Sequence, residues 1–271
     1  MSLQRAIEFI RSRGTPAQIT RMRFTHEGIR PNEEQTTLLL GNQNPDGGWP
    51  LTPQGDISSL DTTCCRLAIA EASGVRLDHE AMIRTASFLM ERQEADGSWE
   101  EDSALSGSFP SWIRPGSIAT TVYLTANCGL WLKVLEPTHP GGIQAAEYLL
   151  PHLMEDGTVP TYLHAHWLTA SLWHLVGLTG AAQAVQAYLR TKLEAPLWPS
   201  NLTWLLNSCR LSTLPPTSPL IEVAVRRLLI CQEKDGRWAS EDGDEFDVDT
   251  TLDALTALQW GLGKELDRFM V

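Results

Sequence analysis

Residues 231–258 read CQEKDGRWASEDGDEFDVDTTLDALTAL, and they join a turn, an acid-rich loop and the start of a new apolar helical pattern. The turn, at 232–238, has glycine four residues and tryptophan six residues after its glutamine. The same spacing occurs at 43–49 and 93–99, and we call these three segments the Gln/Gly/Trp turns. Several copies of one turn at a fixed internal spacing indicate a repeat of structural units.

Each residue type in these turns has a structural task. Glycine supplies the backbone freedom that a helix C-terminus needs, glutamine can bind exposed backbone groups, and tryptophan can cover the end of a neighbouring helix. The later Glu155-Asp156-Gly157-Thr158 is a degenerate relative of the same turn. We therefore interpret the turns as scaffold.

Between breaks rich in Gly, Pro and Asn, apolar residues recur every three or four positions, which is typical of α-helices. The pattern predicts helices at 3–13, 17–28, 32–42, 58–73, 79–93, 117–131, 143–153, 162–176, 181–192, 201–211, 220–231 and 248–262. A shorter amphipathic helix alternates with a more uniformly apolar one, which indicates pairs whose second member is buried. The chain is therefore predicted to be all-α, an α6/α6 barrel with a double ring of twelve helices, in one domain over 1–271.

Composition argues against several classes of function. The formal net charge is −12, from 21 basic and 33 acidic residues, and nucleic-acid binding needs clustered Lys and Arg instead. We find no apolar run of membrane-spanning length and no signal peptide, so a cytoplasmic protein is expected. The five cysteines form no Cys-x-x-Cys pair, which favours reduced core thiols over a disulfide framework or a zinc ribbon.

The Gln/Gly/Trp turns resemble the QW motifs of the squalene-hopene cyclase, class II terpene cyclase and prenyltransferase superfamily, whose domains are α/α barrels. In its class II cyclases an Asp-x-Asp-Asp motif provides the acid that protonates a terminal alkene or epoxide. Asp247-Val248-Asp249-Thr250 matches three of the four positions. The resemblance implies that Asp249 is the catalytic proton donor, that Asp247 and Thr250 tune it, and that a linear isoprenoid cyclises in a central apolar cavity.

Two features depart from that family pattern. Thr250 stands where the family usually carries a further Asp. Such cyclases also usually close their cavity with another helical domain, whereas this chain has the length of one barrel. A homodimer, a partner domain or the loop at 100–116, in which Trp112 can act as a lid, is expected to close the cavity.

Two interpretations of Asp249 stay open. A proton donor needs a raised pKa, which burial and the like charge of Asp247 can supply. A helix cap accepts backbone N–H groups and stays ionised instead. Asp61-Thr62-Thr63 is a near-copy of Asp249-Thr250-Thr251, and Ala119-Thr120-Thr121 is predicted to take the same place in a third unit. The particular feature of the last copy is therefore Asp247.

Helical spacing extends the candidate substrate pocket, because side chains four residues apart share a helix face. The predicted pocket residues are Asp61, Cys65, Tyr123, His164, His166, Trp167, Trp204 and Asp253, together with Trp112 in the loop. The tryptophans can attract cations through their ring faces or simply pack in the core.

Two further functions stay open. The barrel can hold an isoprenoid or another lipid, or bind a partner protein, without catalysis. Asp, Cys and His around one cavity also resemble the zinc site of protein prenyltransferase β-subunits, so zinc-dependent prenyl transfer is a third hypothesis. The ligand pattern of that branch is absent, and we assign no metal ligands. Cyclisation requires no cofactor, and Mg²⁺ is expected only with a diphosphate substrate, for which residues 241–245 offer carboxylates.

Overall fold

The computed structural model describes residues 2–105 and 110–263, and these residues are mostly helical, which confirms the all-α prediction. Their helices are α1 (Leu3–Arg13), α2 (Pro16–Glu27), α3 (Glu33–Leu39), α4 (Leu60–Ala72), α5 (Glu80–Glu91), α6 (Ile118–Leu135), α7 (Gly141–Leu149), α8 (Leu163–Leu175), α9 (Thr179–Lys192), α10 (Pro199–Leu211), α11 (Pro219–Ile230) and α12 (Asp247–Leu262). The strands β1 (Trp49–Pro50) and β2 (Ser58–Ser59) pair antiparallel. All twelve predicted helices are present, and their arrangement in a double ring stays a prediction.

Helix boundaries follow from local capping. Pro16 begins α2, where its missing N–H costs nothing, and Thr15 with Gln18 forms a capping box. Gly28 ends the helix in the left-handed conformation at φ 70°. The prediction for 17–28 is therefore correct to within a residue at each end.

The described residues group into two compact units. The first unit comprises Met1–Leu39, Ala72–Val75 and Leu189–Val271, and the second unit comprises Leu40–Glu71 and Arg76–Tyr188. In the first unit α12 packs against α1, α2, α10 and α11. In the second unit α6 packs against α5, α7 and α8. The single domain over 1–271 stays a prediction.

Helix α6 shows why the second helix of each pair was predicted to be buried. Its residues from Val122 to Leu132 are all buried, so an apolar residue is favoured at almost every position. By length and composition α6 is also the one helix of the described residues that reaches the dimensions of a membrane span, although 67% of that segment is buried in the structure. This differs from the sequence prediction, in which no apolar run reaches membrane-spanning length.

The Gln/Gly/Trp turns each hold the next amphipathic helix in the chain or, for the last turn, α1. The Nε2 atom of Gln93 donates to Gly97 O at 3.0 Å and to Gly141 O at 2.9 Å, at the start of α7. The other two glutamines, Gln43 and Gln232, bond in the same way to Gly47 and Ala81 and to Gly236 and Ser2.

Glycine is required in these turns for two reasons. Gly97 has φ 91°, a region in which side chains are rare, and an added Cβ would lie 2.6 Å from Gln144 O. The degenerate turn at 155–158 has the same geometry, because Gly157 has φ 83° and an added Cβ would lie 2.4 Å from Ala184 O. Trp49, Trp99 and Trp238 are each at most 1% exposed. These contacts support the interpretation of the turns as scaffold.

Candidate functional site

In each Gln/Gly/Trp turn, the backbone N–H of the tryptophan donates one hydrogen bond to the helix that follows. In the degenerate turn at 155–158, the next residue, Val159, takes the place of the tryptophan. The acceptor is a side chain on the buried face of that helix. The donor–acceptor pairs are Trp49 with Thr63 (2.9 Å), Trp99 with Thr125 (3.1 Å), Val159 with His166 (3.2 Å) and Trp238 with Thr251 (3.0 Å). These bonds align the four repeats residue by residue.

The residue two positions before each acceptor occupies an equivalent place in its repeat. These residues are Asp61, Tyr123, His164 and Asp249. The first three belong to the second unit and Asp249 belongs to the first. The repeat therefore carries an ionisable side chain at one position of all four helices.

The predicted register of the repeat that contains α6 is wrong. Ala119-Thr120-Thr121 was expected to correspond to Asp61-Thr62-Thr63, but the bond from Trp99 N selects Thr125. Tyr123-Leu124-Thr125 is therefore the equivalent segment. Thr121 and Thr125 lie on one helix face, and the longer loop before α6 brings the later one to the turn.

Asp61, the second residue of α4, makes the most enclosed carboxylate site at these positions. Its Oδ1 accepts a hydrogen bond from the Tyr123 hydroxyl at 2.5 Å, and its side chain also accepts one from the Trp112 indole. Burial raises the pKa of the Asp61 carboxyl, and the two donors oppose that rise in part. Asp61 therefore binds a proton more readily than an ordinary aspartate.

Glu101 lies directly beside Asp61 and was not predicted from the sequence. It is 4% exposed, and its carboxylate accepts hydrogen bonds from Ser59 Oγ (2.7 Å), Leu60 N (2.9 Å) and Asp61 N (3.0 Å). Burial raises the pKa of Glu101, its three hydrogen bonds oppose that rise, and the charge of Asp61 adds to it more weakly. The second unit thus holds two neighbouring acids at the start of α4, of which Glu101 is buried and Asp61 is half-buried.

The predicted lid residue Trp112 lies in a short 3₁₀ helix, Ser111–Ile113. Its ring is 48% exposed, yet its indole N–H reaches the Asp61 carboxylate, while Ile113 is fully buried. Glu100 Oε1 accepts from Gly116 N at 2.8 Å and so holds the end of this loop. Residues 106–109 of the predicted lid lie outside the described residues.

Asp249, the predicted proton donor, has a more polar environment in the first unit. Burial raises the pKa of its carboxyl, but a hydrogen bond from the Gln18 side chain and the charge of Arg21 oppose the rise. Asp253 adds to the rise, and it forms an ion pair with Arg21, whose side chain is 4% exposed. Asp249 thus lies beside a buried cation, which favours its ionised form.

Asp247, predicted to tune Asp249, contacts Ser240 and Arg237, and its tuning role stays a prediction. It is 1% exposed, its Oδ1 accepts from Ser240 N at 2.8 Å, and its Oδ2 lies 3.1 Å from Arg237 Nη1. These contacts hold the loop after the last turn against the first residue of α12. Thr250, predicted as the second tuning residue, is buried.

The other predicted pocket residues have different surroundings. His166 accepts from Val159 N and lies 2.9 Å from Tyr162 O, so its ring holds the end of the degenerate turn at 155–158. His164 is half-buried, and its ring stands edge-on to Trp167, which is fully buried, at 5.4 Å. Cys65 is exposed, and Trp204 on α10 is partly exposed.

Tyr123, the donor to Asp61, has an aromatic neighbour that was not predicted from the sequence. The Tyr162 ring stands edge-on to Tyr123 with the ring centroids 6.4 Å apart. Tyr162 directly precedes α8 and lies two residues before His164. Two sequence features could have identified Tyr162: it is aromatic, and it lies two residues before His164, the residue equivalent to Asp61.

In the described part of the chain, no three His, Cys, Asp or Glu side chains come together in a group that could hold a metal ion. In the acid loop at 241–245, the carboxylate of Glu241 accepts a hydrogen bond from Asn201 Nδ2 at 2.6 Å. Mg²⁺ for a diphosphate substrate stays a prediction.

Comparison with known proteins gives the fold class. No family model and no curated protein matches the chain. A protein from Actinoplanes matches with a TM-score of 0.57 at 17% identity, over 90% of this chain and 88% of that one. The type II terpene cyclase MstE from Scytonema matches with a TM-score of 0.58 at 15% identity, over 90% and 86% of the two chains. A variant of MstE in complex with its substrate, geranylgeranyl dihydroxybenzoate, matches with a TM-score of 0.54 at 14% identity, over 91% and 86%. The chain thus has a class II terpene cyclase-like fold.

Proposed function

We propose that this chain starts the cyclisation of a linear isoprenoid by protonation, and that Asp61 is the proton donor. The observation that carries the proposal is the half-buried Asp61 carboxyl, whose hydrogen-bond donors, Tyr123 and Trp112, are both neutral. The likeness to a type II terpene cyclase supports the reaction class. The three Gln/Gly/Trp turns, with one hydrogen-bonding pattern, support their proposed identity as QW motifs.

The proposed chemistry requires a carboxylic acid that keeps its proton until a double bond reaches it. The proton leaves Asp61 and bonds to one carbon of a terminal alkene, whose π electrons form the new C–H bond. The cation on the other carbon is attacked by the next double bond, and a final proton is lost to water or to a base. The hydrogen bonds from Tyr123 and Trp112 stabilise the aspartate that remains.

Asp61 suits this role better than Asp249 because of the charges nearby. Arg21 lies beside Asp249 and favours its ionised form, whereas the groups that donate to Asp61, Tyr123 and Trp112, are neutral. The equivalent repeat positions of the two aspartates make Asp249 the natural comparison residue. Its role as proton donor, predicted from the motif, stays a prediction.

The test is to incubate the full chain with squalene, farnesyl diphosphate, geranylgeranyl diphosphate and geranylgeranyl dihydroxybenzoate, with and without Mg²⁺. Products are identified by mass spectrometry. In D₂O, protonation from an exchangeable acid must place deuterium in the product. Cyclic, deuterated product from the wild type and its loss in Asp61→Asn are expected, while full activity of that variant would contradict the assignment.

The two other hypotheses predict different outcomes in the same experiment. A non-catalytic isoprenoid-binding protein would retain a probe in native mass spectrometry without converting it. A zinc-dependent prenyltransferase-like protein would need stoichiometric zinc and would transfer a prenyl group to an acceptor. Neither has a supporting contact in the described residues comparable to the Asp61 site.

A further inference from the structure

Glu101 has a different set of donors from Asp61, and this difference bears on where a proton resides. Two of its donors, Leu60 N and Asp61 N, are in the first turn of α4, and the third is the Ser59 hydroxyl. Free N–H groups at a helix N-terminus and the positive end of the helix dipole both favour an ionised carboxylate. Glu101 is therefore the natural site of negative charge at the start of α4.

Asp61 projects from the same turn but receives its donors from elsewhere. The Tyr123 hydroxyl comes from α6 and the Trp112 indole from the 3₁₀ helix. A protonated carboxyl can still accept both hydrogen bonds through its carbonyl oxygen. Asp61 can thus carry a proton without losing its contacts, whereas protonated Glu101 would offer the helix end a weaker acceptor.

In the part of the chain that the structure describes, the hydrogen-bond partners of Asp61 and Glu101 include no lysine or arginine. The other titratable groups that act on them are Tyr123 from α6 and Cys64 from α4, and the pKa of each is raised well above its usual value. Both therefore stay neutral near pH 7. Two neighbouring carboxylates with no lysine or arginine among their hydrogen-bond partners favour retention of one proton.

We propose that Glu101 is a positioning residue that carries the negative charge of the Asp61–Glu101 pair and thereby keeps the proton on Asp61. The inference deepens the proposed function and rests on it for its catalytic meaning. The sequence links the two residues in a simple way, because Glu101 follows Trp99 by two positions. The Gln/Gly/Trp turn at 93–99 thus places the charge of Glu101 beside Asp61, which belongs to the preceding helix pair.

The test is a titration of the full chain with ¹³C-labelled side-chain carboxyls, followed by NMR without any substrate. Asp61→Asn and Glu101→Gln assign the two signals. As the pH rises, we expect Glu101 to ionise first and Asp61 to ionise last. The opposite order would overturn the proposal. Coupled acids titrate as a pair, so each site is followed by its own carbon.

The Glu101→Gln variant gives a second test of the proposed effect of Glu101 on the pKa of Asp61. Without the neighbouring charge, the proton affinity of Asp61 is expected to fall at least about tenfold, which is one pKa unit. Glu94→Gln, an exposed acid in the same turn, is the matched control and should leave the Asp61 titration unchanged. An unchanged Asp61 titration in Glu101→Gln would overturn the proposal. If circular dichroism shows that Glu101→Gln does not fold, the wild-type order decides.

The two proposals fail separately. The titration needs no turnover, so a chain that converts no isoprenoid can still show the expected proton order. A chain that forms cyclic products while Asp61 ionises first would keep the proposed function and lose the role of Glu101.

Discussion

The Tyr123 hydroxyl donates a hydrogen bond to Asp61 Oδ1 over 2.5 Å and thereby joins α6 to the first turn of α4. The two residues occupy equivalent positions in their repeats, each two residues before the threonine that binds a turn. A buried acid thus obtains its donor from the corresponding position of another repeat. The consequences for stability and for pH dependence follow from this contact.

Tyr123→Phe should destabilise the fold by about 1–3 kcal/mol, because Asp61 loses a donor in a buried site. The same change should raise the pKa of Asp61 further, since the Tyr123 bond favours the ionised form. Urea unfolding measures the first effect. Tyr148→Phe on α7, whose ring is only half-buried, is the control and should cost less than about 0.5 kcal/mol. Equal effects of the two changes would contradict the structural importance of the contact.

Asp61→Asn should flatten the dependence of stability on pH. The folded-state pKa of Asp61 is raised, so its stabilising contribution is full below the ordinary pKa of about 3.9 and is lost as pH rises through the folded value. Unfolding free energies of the wild type and the variant across that window measure the difference. Glu101 contributes with the same sign in both proteins. A wild-type slope that persists unchanged in the variant would exclude a raised pKa at Asp61.

Gly97→Ala should destabilise the fold by about 3 kcal/mol or more, since positive φ and a steric overlap act together. Its Cβ would lie 2.6 Å from Gln144 O. Gly177 has φ 81° with open space around it, so Gly177→Ala should cost only about 1–2 kcal/mol of backbone strain. Gly180→Ala, with neither constraint, should be neutral or stabilising. Thermal unfolding of the three variants gives the order, and equal losses would refute the steric argument.

Thr125→Val should cost about 1–3 kcal/mol, because it leaves the buried N–H of Trp99 without its acceptor. Thr37→Val removes an exposed hydroxyl that bonds to Glu33 O and should cost less than about 0.5 kcal/mol. Denaturant unfolding compares the two. The corrected register of the repeat that contains α6 also predicts that Thr121→Val lowers the stability less than Thr125→Val. The reverse order would favour the alignment of Thr121 with Thr63.

Asp247→Asn should lower the stability of the fold more than it changes the catalysed reaction. The buried carboxylate balances Arg237, and its loss should cost about 1–3 kcal/mol, less than for a fully buried pair because Arg237 is 28% exposed. Asp235 is the other, more exposed acid near Arg237, and Asp235→Asn should cost less than about 0.5 kcal/mol. A fully stable Asp247→Asn protein with altered turnover would favour the motif-based tuning role instead.

The helices were predictable because their signal is local. Apolar spacing located all twelve, and errors fell where local chemistry intervenes. The predicted helix at 143–153 ends at Leu149, since Pro151 lies in the 3₁₀ helix Leu150–His152 that follows. The predicted helix at 32–42 ends at Leu39, ahead of Asn42 with φ 64°. These differences leave the order of the helices unchanged.

The candidate site was only partly predictable because it depends on loop length and tertiary contact. Asp61 and Tyr123 were both identified as candidates, but Thr121 and Thr125 fit the same pattern and only the fold selects between them. Glu100 and Glu101 are chemically identical neighbours in the sequence. Burial at the start of α4 distinguishes Glu101, and no local signal does so.

The measurement that tests the account most directly is the rate of cyclic product formation by Asp61→Asn and Asp249→Asn beside the wild type, on the same isoprenoids. Each variant exchanges a carboxyl for an amide of the same shape at an equivalent repeat position. The account predicts a loss of at least about 100-fold in Asp61→Asn, as expected for removal of a general acid, and near wild-type turnover in Asp249→Asn. Turnover that survives in Asp61→Asn, or that is lost only in Asp249→Asn, would contradict it.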